Sequence, residues 1–194
     1  MTVRDNQQVA TVGWQELDVY HTSITPFAAR ALAVTRIAIG FIFLWAFLDK
    51  LVGWGYATQS KGAWINGGSP TQGFLSHVDV GPFESTFRGI AGAGWADWLF
   101  MLGLLGIGVA VILGIGLRLS AIAGSIMMIL MWAAEWPLDR ITSAGEPSMS
   151  TNPIVDYHII DALVLIVLAA TYAGHTWGLG KAWERLVRGT RWLL

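Results

Sequence analysis

Four long runs of apolar residues constrain this sequence more than any other feature. They cover residues 31–52, 98–117, 119–136 and 154–173, and each is close to the roughly 17–25 residues that a helix needs to cross a bilayer. Only 13% of the residues are charged, against roughly a quarter in soluble domains. The pattern predicts an all-α integral membrane protein, a four-helix bundle over residues 31–173 that lies in a lipid bilayer.

The basic residues predict the orientation of this bundle, because short cytoplasmic segments retain Lys and Arg. Residues 1–30 are expected to be a cytoplasmic N-terminal segment, and residues 174–194 a cytoplasmic basic amphipathic tail on the inner leaflet. The apolar run 31–48 is too long for the core of a cleavable signal, so the first helix is expected to be retained. Both termini are therefore predicted to lie inside. The cytoplasmic segments would then hold Arg4, Arg30, Arg118, Lys181, Arg185, Arg188 and Arg191.

Residues 53–97 form one long loop, which this topology places on the extracytoplasmic side. The loop is rich in glycine and carries the sequence WINGGSPTQGF, which is typical of turns rather than strands. Within it, residues 82–95 are expected to form a short interfacial helix, since Phe83, Phe87 and Ile90 recur at helical spacing.

Two properties of the whole chain exclude classes of function. The sequence contains no cysteine, so it has no disulfide, thiolate metal site or redox-active thiol pair of its own. Its formal net charge of -1 lacks the basic surplus that nucleic-acid binding requires. Any thiol-linked redox role would need sulfur from a partner protein or a bound cofactor.

Ionisable residues inside the spans are the main functional signal, because each costs about 2.5–3.5 kcal/mol on insertion scales. On the first helix Arg36, Gly40, Phe43, Phe47 and Lys50 share one face, which is expected to look into the bundle. A plain anchoring role also fits both cations, with Arg36 reaching the inner headgroups and Lys50 the outer ones. In the second run, four-residue spacing of small residues predicts close helix approach at Gly106, Ala110 and Gly114.

The start of the last run, NPIVDYHIID, holds a second group of ionisable residues. His158 and Asp161 are three residues apart and share a helix face. Asp156 lies at the helix start, where a carboxylate complements the helix dipole and accepts hydrogen bonds from exposed amides. The predicted topology places five ionisable side chains toward the outer side, where they could converge: Asp49, Lys50, Glu135, His158 and Asp161.

This outer cluster has two interpretations. Carboxylates, an imidazole and an amine suit a proton-coupled redox or transport site that serves a quinone. They also form structural salt-bridge networks, and this second interpretation is favoured because no spacing here is diagnostic of a site. On the redox interpretation the candidate catalytic residues are Asp161, His158 and Lys50. The candidate quinone-binding residues are then Arg36, Asp49, Glu135 and Trp132.

Other cofactors are less favoured by the sequence. His158 is the one histidine well placed within a span, so two facing haem ligands are not available from this chain. No metal site is assigned, although a site built from histidine and carboxylate stays open as an alternative.

The chain after Ala31 resembles the DoxX/DoxD family of bacterial membrane proteins. Arg36, Gly40, Phe43 and Lys50 match the family's first-helix pattern, whereas Phe47 stands where a glycine is common. The blocks that carry the resemblance are RIAIGFIFLWAFLDKL, AWINGGSPTQGFL, WADWLFMLGLLGIGVAVILGIGLRL, MWAAEWP, NPIVDYHIIDALVLIVLA and TWGLGKAWE.

The resemblance implies a four-helix bundle in the bacterial plasma membrane and a redox association. Family members include the DoxD-type subunit of a thiosulfate:quinone oxidoreductase, so one expectation is a quinone-linked oxidoreductase subunit. A second is a non-catalytic scaffold that holds a redox partner protein through the loop 64–74. A small-solute or proton-coupled transporter is a weaker third.

Overall fold

The computed structural model describes residues 24–148, 150–188 and 190–193. Within these ranges the chain is helical and has no β-strand, only one isolated bridge between Ile141 and Pro147. The all-α prediction is confirmed. Most of the predicted cytoplasmic segment 1–30 lies outside the described residues. The α-helices of the described ranges are α1 (Pro26–Val52), α2 (Gln72–Leu75), α3 (Glu84–Ile90), α4 (Gly94–Leu113), α5 (Leu117–Glu135), α6 (Tyr157–Ala170) and α7 (Gly180–Leu186).

Three helices of the described chain are long and apolar enough to cross a bilayer. They are α1, α4 and α5, with 27, 20 and 19 residues. The fourth predicted span, 154–173, is represented by α6, which is apolar but has only 14 residues. At 1.5 Å per residue α6 is about 21 Å long, shorter than a hydrocarbon core of about 30 Å.

Local capping moves the helix ends away from the predicted bounds. α1 begins at Pro26 rather than residue 31, because the Thr25 hydroxyl accepts a hydrogen bond from the Ala28 amide and proline suits the first helical position. α4 ends at Leu113 rather than residue 117, because Gly114 adopts φ 73°, a left-handed conformation that terminates the helix.

The four main helices, α1, α4, α5 and α6, each run antiparallel to the one before, and they pack around one core. α1 packs on α4 and α5 packs on α6. We call the end of the bundle where α1 ends and α6 begins the loop end, and the opposite end, which leads into α7, the tail end. Asp49, Lys50, Glu135, His158 and Asp161 all belong to the loop-end portions of their helices.

α1 and α4 approach each other closely. A Cβ atom added at Gly40 would lie 2.8 Å from the Ile112 amide nitrogen, and one at Gly108 would lie 2.7 Å from the Leu44 amide nitrogen. The prediction that Gly106 permits close approach is wrong, because a Cβ there would meet nothing within 4 Å. Glycine thus serves this interface at Gly40 and Gly108, where the two backbones nearly touch.

The outer surface of the helices is apolar, as expected for a protein surrounded by lipid. Leu99 is 67% exposed, and Ile122 and Val34 are more than half exposed. On a soluble protein, such helix faces would carry polar side chains or would be covered by a partner. The exposed apolar helix faces therefore support a bilayer environment.

The segment between α1 and α4 contains short helices and turns, and no strand among its residues. The predicted interfacial helix within 82–95 corresponds to α3. Asp97, in the first turn of α4, fastens this segment: its Oδ1 accepts hydrogen bonds from the Thr71 amide at 2.9 Å, the Thr71 hydroxyl at 2.6 Å and the Ser69 hydroxyl at 2.9 Å.

Candidate functional site

At the loop end, the start of α6 packs against the end of α5 and brings an imidazole between two carboxylates. The His158 side chain is fully buried. Its Nδ1 lies 2.9 Å from Asp156 Oδ2 and 3.9 Å from Glu135 Oε2. One possible ligand atom from each of the three residues lies within 4.8 Å of the others. We call Glu135, Asp156 and His158 the loop-end triad.

The helix cap of α6 fixes the Asp156 carboxylate. Asp156 is the N-cap residue with extended backbone angles, and its Oδ1 accepts a hydrogen bond from the Ile159 amide at 3.2 Å. The capping role predicted for Asp156 is confirmed. Because Oδ1 holds the cap, Oδ2 is left to face His158.

Two aromatic residues support the triad. The Tyr157 hydroxyl donates to Glu135 Oε1 at 3.2 Å, and the centroids of the Tyr157 and His158 rings are 3.9 Å apart. Trp132 Nε1–H donates to the Ile154 carbonyl at 3.0 Å and so ties the segment before α6 to α5. Trp132 therefore contacts the backbone beside the triad rather than its polar atoms.

A cleft of about 530 Å³ opens beside the triad. Glu135, Asp156 and Tyr157 form part of its wall, and the charged side chains of its lining are carboxylates, with no lysine or arginine among the described lining residues. The remaining wall combines aromatic or aliphatic groups with small polar ones, chiefly Phe74, Val78, Trp136, Ile141, Thr142 and Ser148.

One atom of the triad lacks a hydrogen-bond partner. His158 Nε2 is buried and contacts no donor or acceptor within hydrogen-bond distance in the described part of the chain. A buried ring nitrogen without a partner costs free energy. Among the described residues, the imidazole is therefore held through Nδ1 alone.

Asp161 and Lys50 differ in their position relative to this triad. Asp161 is buried one helical turn beyond His158 on the same helix. Lys50 lies on α1 with its Nζ 5.9 Å from the centre of the Phe100 ring. Within the described residues, Lys50 and Asp161 form no ion pair of 4.0 Å or less. The structure thus adds Asp161 to the neighbourhood of the triad but not Lys50.

Asp49 holds the chain that follows α1. It is almost completely buried, and its Oδ2 accepts hydrogen bonds from the amides of Ala57 at 3.0 Å and Thr58 at 2.8 Å. Its side chain therefore organises the turn after α1 and makes no hydrogen bond to the triad among the described residues.

Arg36 lies at the tail end and is fully buried. Its Nη1 donates to the carbonyls of Val111, at 2.6 Å, and Ile112, and its Nη2 donates to Trp177, at 2.9 Å, and Thr176, at 3.5 Å. The guanidinium thus occupies the C-terminal carbonyls of α4, where a cation also complements the helix dipole. The expectation that Arg36 faces the bundle is confirmed, and its alternative as an exposed anchor to headgroups is wrong.

Sequence reasoning did not single out Tyr157, Thr71 or Asp97. The adjacency of Tyr157 to His158 was a usable signal for the first, because neighbouring aromatic and imidazole rings at a helix start can stack. Thr71 and Asp97 are 26 residues apart, so their contact carries no local pattern.

Comparison with known families supports the resemblance seen in the sequence. The DoxX family model matches residues 31–136, more than half of the 194-residue chain, and covers most of α1 and all of α4 and α5. Neither a curated protein nor a solved structure matches the chain. Glu135 lies inside the matched region, whereas Asp156 and His158 lie beyond it. With this match and its three helices of spanning length, the chain belongs to the DoxX family of membrane proteins.

Proposed function

We propose that this DoxX-family protein is a quinone-linked subunit of a redox system in the bacterial plasma membrane, with the loop-end cleft as its quinone site. The cleft carries the proposal. Its volume of about 530 Å³ falls within the roughly 300–1,000 Å³ typical of small-molecule sites. It also lies at helix ends, the depth at which a lipid-soluble ring meets polar headgroups.

The lining of the cleft fits a quinone ring. Phe74 and Trp136 supply apolar faces against which a flat ring can pack. The Tyr157 hydroxyl is a donor suited to a ring carbonyl, and it now donates to Glu135. A bound quinone would supply two-electron acceptor chemistry, while these residues bind and orient it.

The charges of the cleft restrict the electron donor. Asp79, Glu135 and Asp156 line it, and no described lysine or arginine offsets them. A carboxylate wall repels a dianion such as thiosulfate. The chain also lacks cysteine. We therefore infer that electrons come from a partner protein or from a neutral or cationic reductant, rather than from thiosulfate bound in this cleft.

The proposal includes the four-span topology with both termini inside. α6 is short, but the segments before and after it, 154–156 and 171–175, add the length that the helix lacks. Residues 31–173 would then form the membrane domain and residues 174–194 the cytoplasmic tail. A single cysteine that replaces Arg118 should react with a thiol reagent from the inside, and one that replaces Glu146 should react from the outside. The native chain has no cysteine, so no other thiol would react. Labelling of residue 118 from outside would reject this orientation.

Quinone binding can be tested directly. The protein purified in mild detergent is expected to retain a quinone detectable by mass spectrometry and to bind a short-chain quinone in calorimetry. Tyr157→Phe should weaken binding by about twofold to tenfold, the worth of one hydrogen bond. Thr142→Trp, which places a bulky indole ring in the cleft, should abolish binding.

Tyr56→Phe is the matched control, because Tyr56 is 75% exposed and does not line the cleft. Its binding constant should equal that of the unmodified protein. Absence of both retained quinone and added-quinone binding, or equal binding by the Thr142→Trp variant, would reject the cleft as the quinone site.

A scaffold function is the second candidate, and one observation favours it. Trp64 packs edge-on against Trp98 with ring centroids 4.6 Å apart, so the loop 64–74 is held firmly to α4. The neighbouring Ile65 is 63% exposed. A redox partner that docks here should be lost from pull-downs with Ile65→Asp, whereas quinone binding should persist.

A further inference from the structure

We propose that the loop-end triad of Glu135, Asp156 and His158 binds a divalent transition-metal ion. The site lies in the wall of the proposed quinone cleft, so the inference rests on the same part of the molecule, but it needs no quinone. Sequence reasoning left such a site as a less favoured alternative. The geometry points to it more strongly than the spacing in sequence does.

The distances between the ligand atoms suit a shared ion. Two ligands bound to Zn²⁺ at about 2.0–2.1 Å lie about 2.9–3.4 Å apart for the usual bond angles. His158 Nδ1 and Asp156 Oδ2 are 2.9 Å apart, within this range. Glu135 Oε2 is 3.9 Å from Nδ1, and its side chain is 39% exposed, so it can move the remaining distance.

The donor set also selects the class of ion. One imidazole nitrogen with two carboxylate oxygens suits Zn²⁺, Mn²⁺, Co²⁺ or Fe²⁺. Two carboxylates neutralise a divalent charge, and the carboxylate-lined cleft attracts cations. Because Glu135 and Asp156 border the cleft, water or a ligand can fill the remaining coordination positions.

The surroundings hold the ligands in place, as outer contacts do in known metal sites. The Ile159 amide holds Asp156 Oδ1, and the Tyr157 hydroxyl holds Glu135 Oε1. Each bond leaves the second oxygen of its carboxylate facing His158. The start of α6 positions Asp156 and His158, and the end of α5 positions Glu135, so the three ligands are already close together.

Metal binding would determine the tautomer of His158. Coordination uses the lone pair of Nδ1, so the ring proton must then lie on Nε2. Nε2 is the buried atom that has no partner within the described residues. An ion on Nδ1 would therefore make Nε2 a hydrogen-bond donor on the side of the ring away from the ion.

The test is calorimetric titration of Zn²⁺ into chelator-treated protein in detergent, purified without a histidine tag. We expect saturation at one ion per chain. Glu135→Gln and Asp156→Asn should each raise the Kd by at least about tenfold, and asparagine preserves the helix cap because it is as good an N-cap residue as aspartate. Co²⁺ in place of Zn²⁺ should give visible bands of nitrogen and oxygen ligation that both substitutions remove.

Two variants test the location of the ion. Glu146→Gln changes an exposed carboxylate outside the cleft lining, and His77→Asn changes a histidine that lines the cleft but lies outside the triad. Both should bind Zn²⁺ as the unmodified protein does. Absence of saturable binding, or unchanged affinity in both Glu135→Gln and Asp156→Asn, would overturn the proposal.

The metal and quinone proposals fail separately. Quinone binding is measured in the presence of a chelator, and Zn²⁺ binding is measured on protein freed of quinone. If quinone does not bind, the metal proposal is unaffected. If Zn²⁺ does not bind, the quinone proposal is unaffected.

Discussion

Replacement of Arg36 by methionine is expected to destabilise the bundle strongly. Methionine keeps the length of the side chain but donates no hydrogen bonds, so the carbonyls of Val111, Ile112 and Trp177 lose their partner. The bond to the Val111 carbonyl is buried, and those to Ile112 and Trp177 are partly buried. The substitution therefore distinguishes a structural role of the Arg36 guanidinium from a role as a surface anchor.

The magnitude follows from opposing terms. Three hydrogen bonds from a charged donor contribute about 1.5–3 kcal/mol each, or about 5–9 kcal/mol together. Removal of a cation from apolar surroundings returns about 2.5–3.5 kcal/mol. The net loss in the free energy of unfolding is thus about 2–6 kcal/mol. Arg36→Lys should also destabilise, because one ammonium group cannot reach carbonyls on α4 and on residue 177 as the planar fork of arginine does.

Thermal unfolding in detergent, followed by circular dichroism, measures this loss. Arg140→Met is the matched control, because Arg140 is exposed in the segment after α5, and it should change stability by less than about 0.5 kcal/mol. An Arg36→Met variant as stable as the unmodified protein would show that the guanidinium does not hold α4, and the reasoning above would fail.

Three further predictions follow from the packing. Gly108→Ala should lower stability by about 1–3 kcal/mol in thermal unfolding because its Cβ meets the α1 backbone, whereas Gly106→Ala should not; equal effects would contradict this contact. Lys50→Met and Asp161→Asn should be additive within about 0.5 kcal/mol, since no ion pair joins them; a double-mutant cycle with larger coupling would restore the pairing suggested by the sequence. Asp97→Asn should speed hydrogen exchange in residues 69–76, because the carboxylate holds the Ser69 hydroxyl and the Thr71 amide and hydroxyl; unchanged exchange there would show that the carboxylate does not fasten the loop.

Much of the fold could be predicted because the apolar runs dominate the sequence. Helix ends were less predictable, since they depend on single capping residues. At the start of α6, Asn152 Oδ1 accepts hydrogen bonds from the amides of Ile154 and Val155, at 2.9 Å each, and Asp156 then caps the helix. These local bonds compete with the helix and delay its start to Tyr157. Hydropathy alone carries no trace of that competition.

Glu135 and His158 of the triad were predicted as site residues, whereas Asp156 was predicted only as a helix cap, and the contacts among the three were not predictable. On a helix, residues two apart do not face each other, so Asp156 and His158 gave no sign of pairing. They meet because Asp156 is not helical: its extended N-cap backbone turns the carboxylate back toward the ring. Partners 75 and 141 residues from Arg36 were likewise beyond any local pattern.

The hydrogen bonds of these groups explain why the two ends of the bundle are suited to different tasks. At the tail end, both Nη atoms of Arg36 are occupied by carbonyls that end α4 and hold the segment before α7. A ligand could engage them only by uncapping the helix. At the loop end, the Asp156 and Glu135 carboxylates border an open cleft, and His158 keeps a nitrogen without a partner among the described residues. Ligand binding there would leave the helix cap on Asp156 Oδ1 intact. The buried cation therefore stabilises the bundle, and the loop-end triad is where ligand chemistry should be sought.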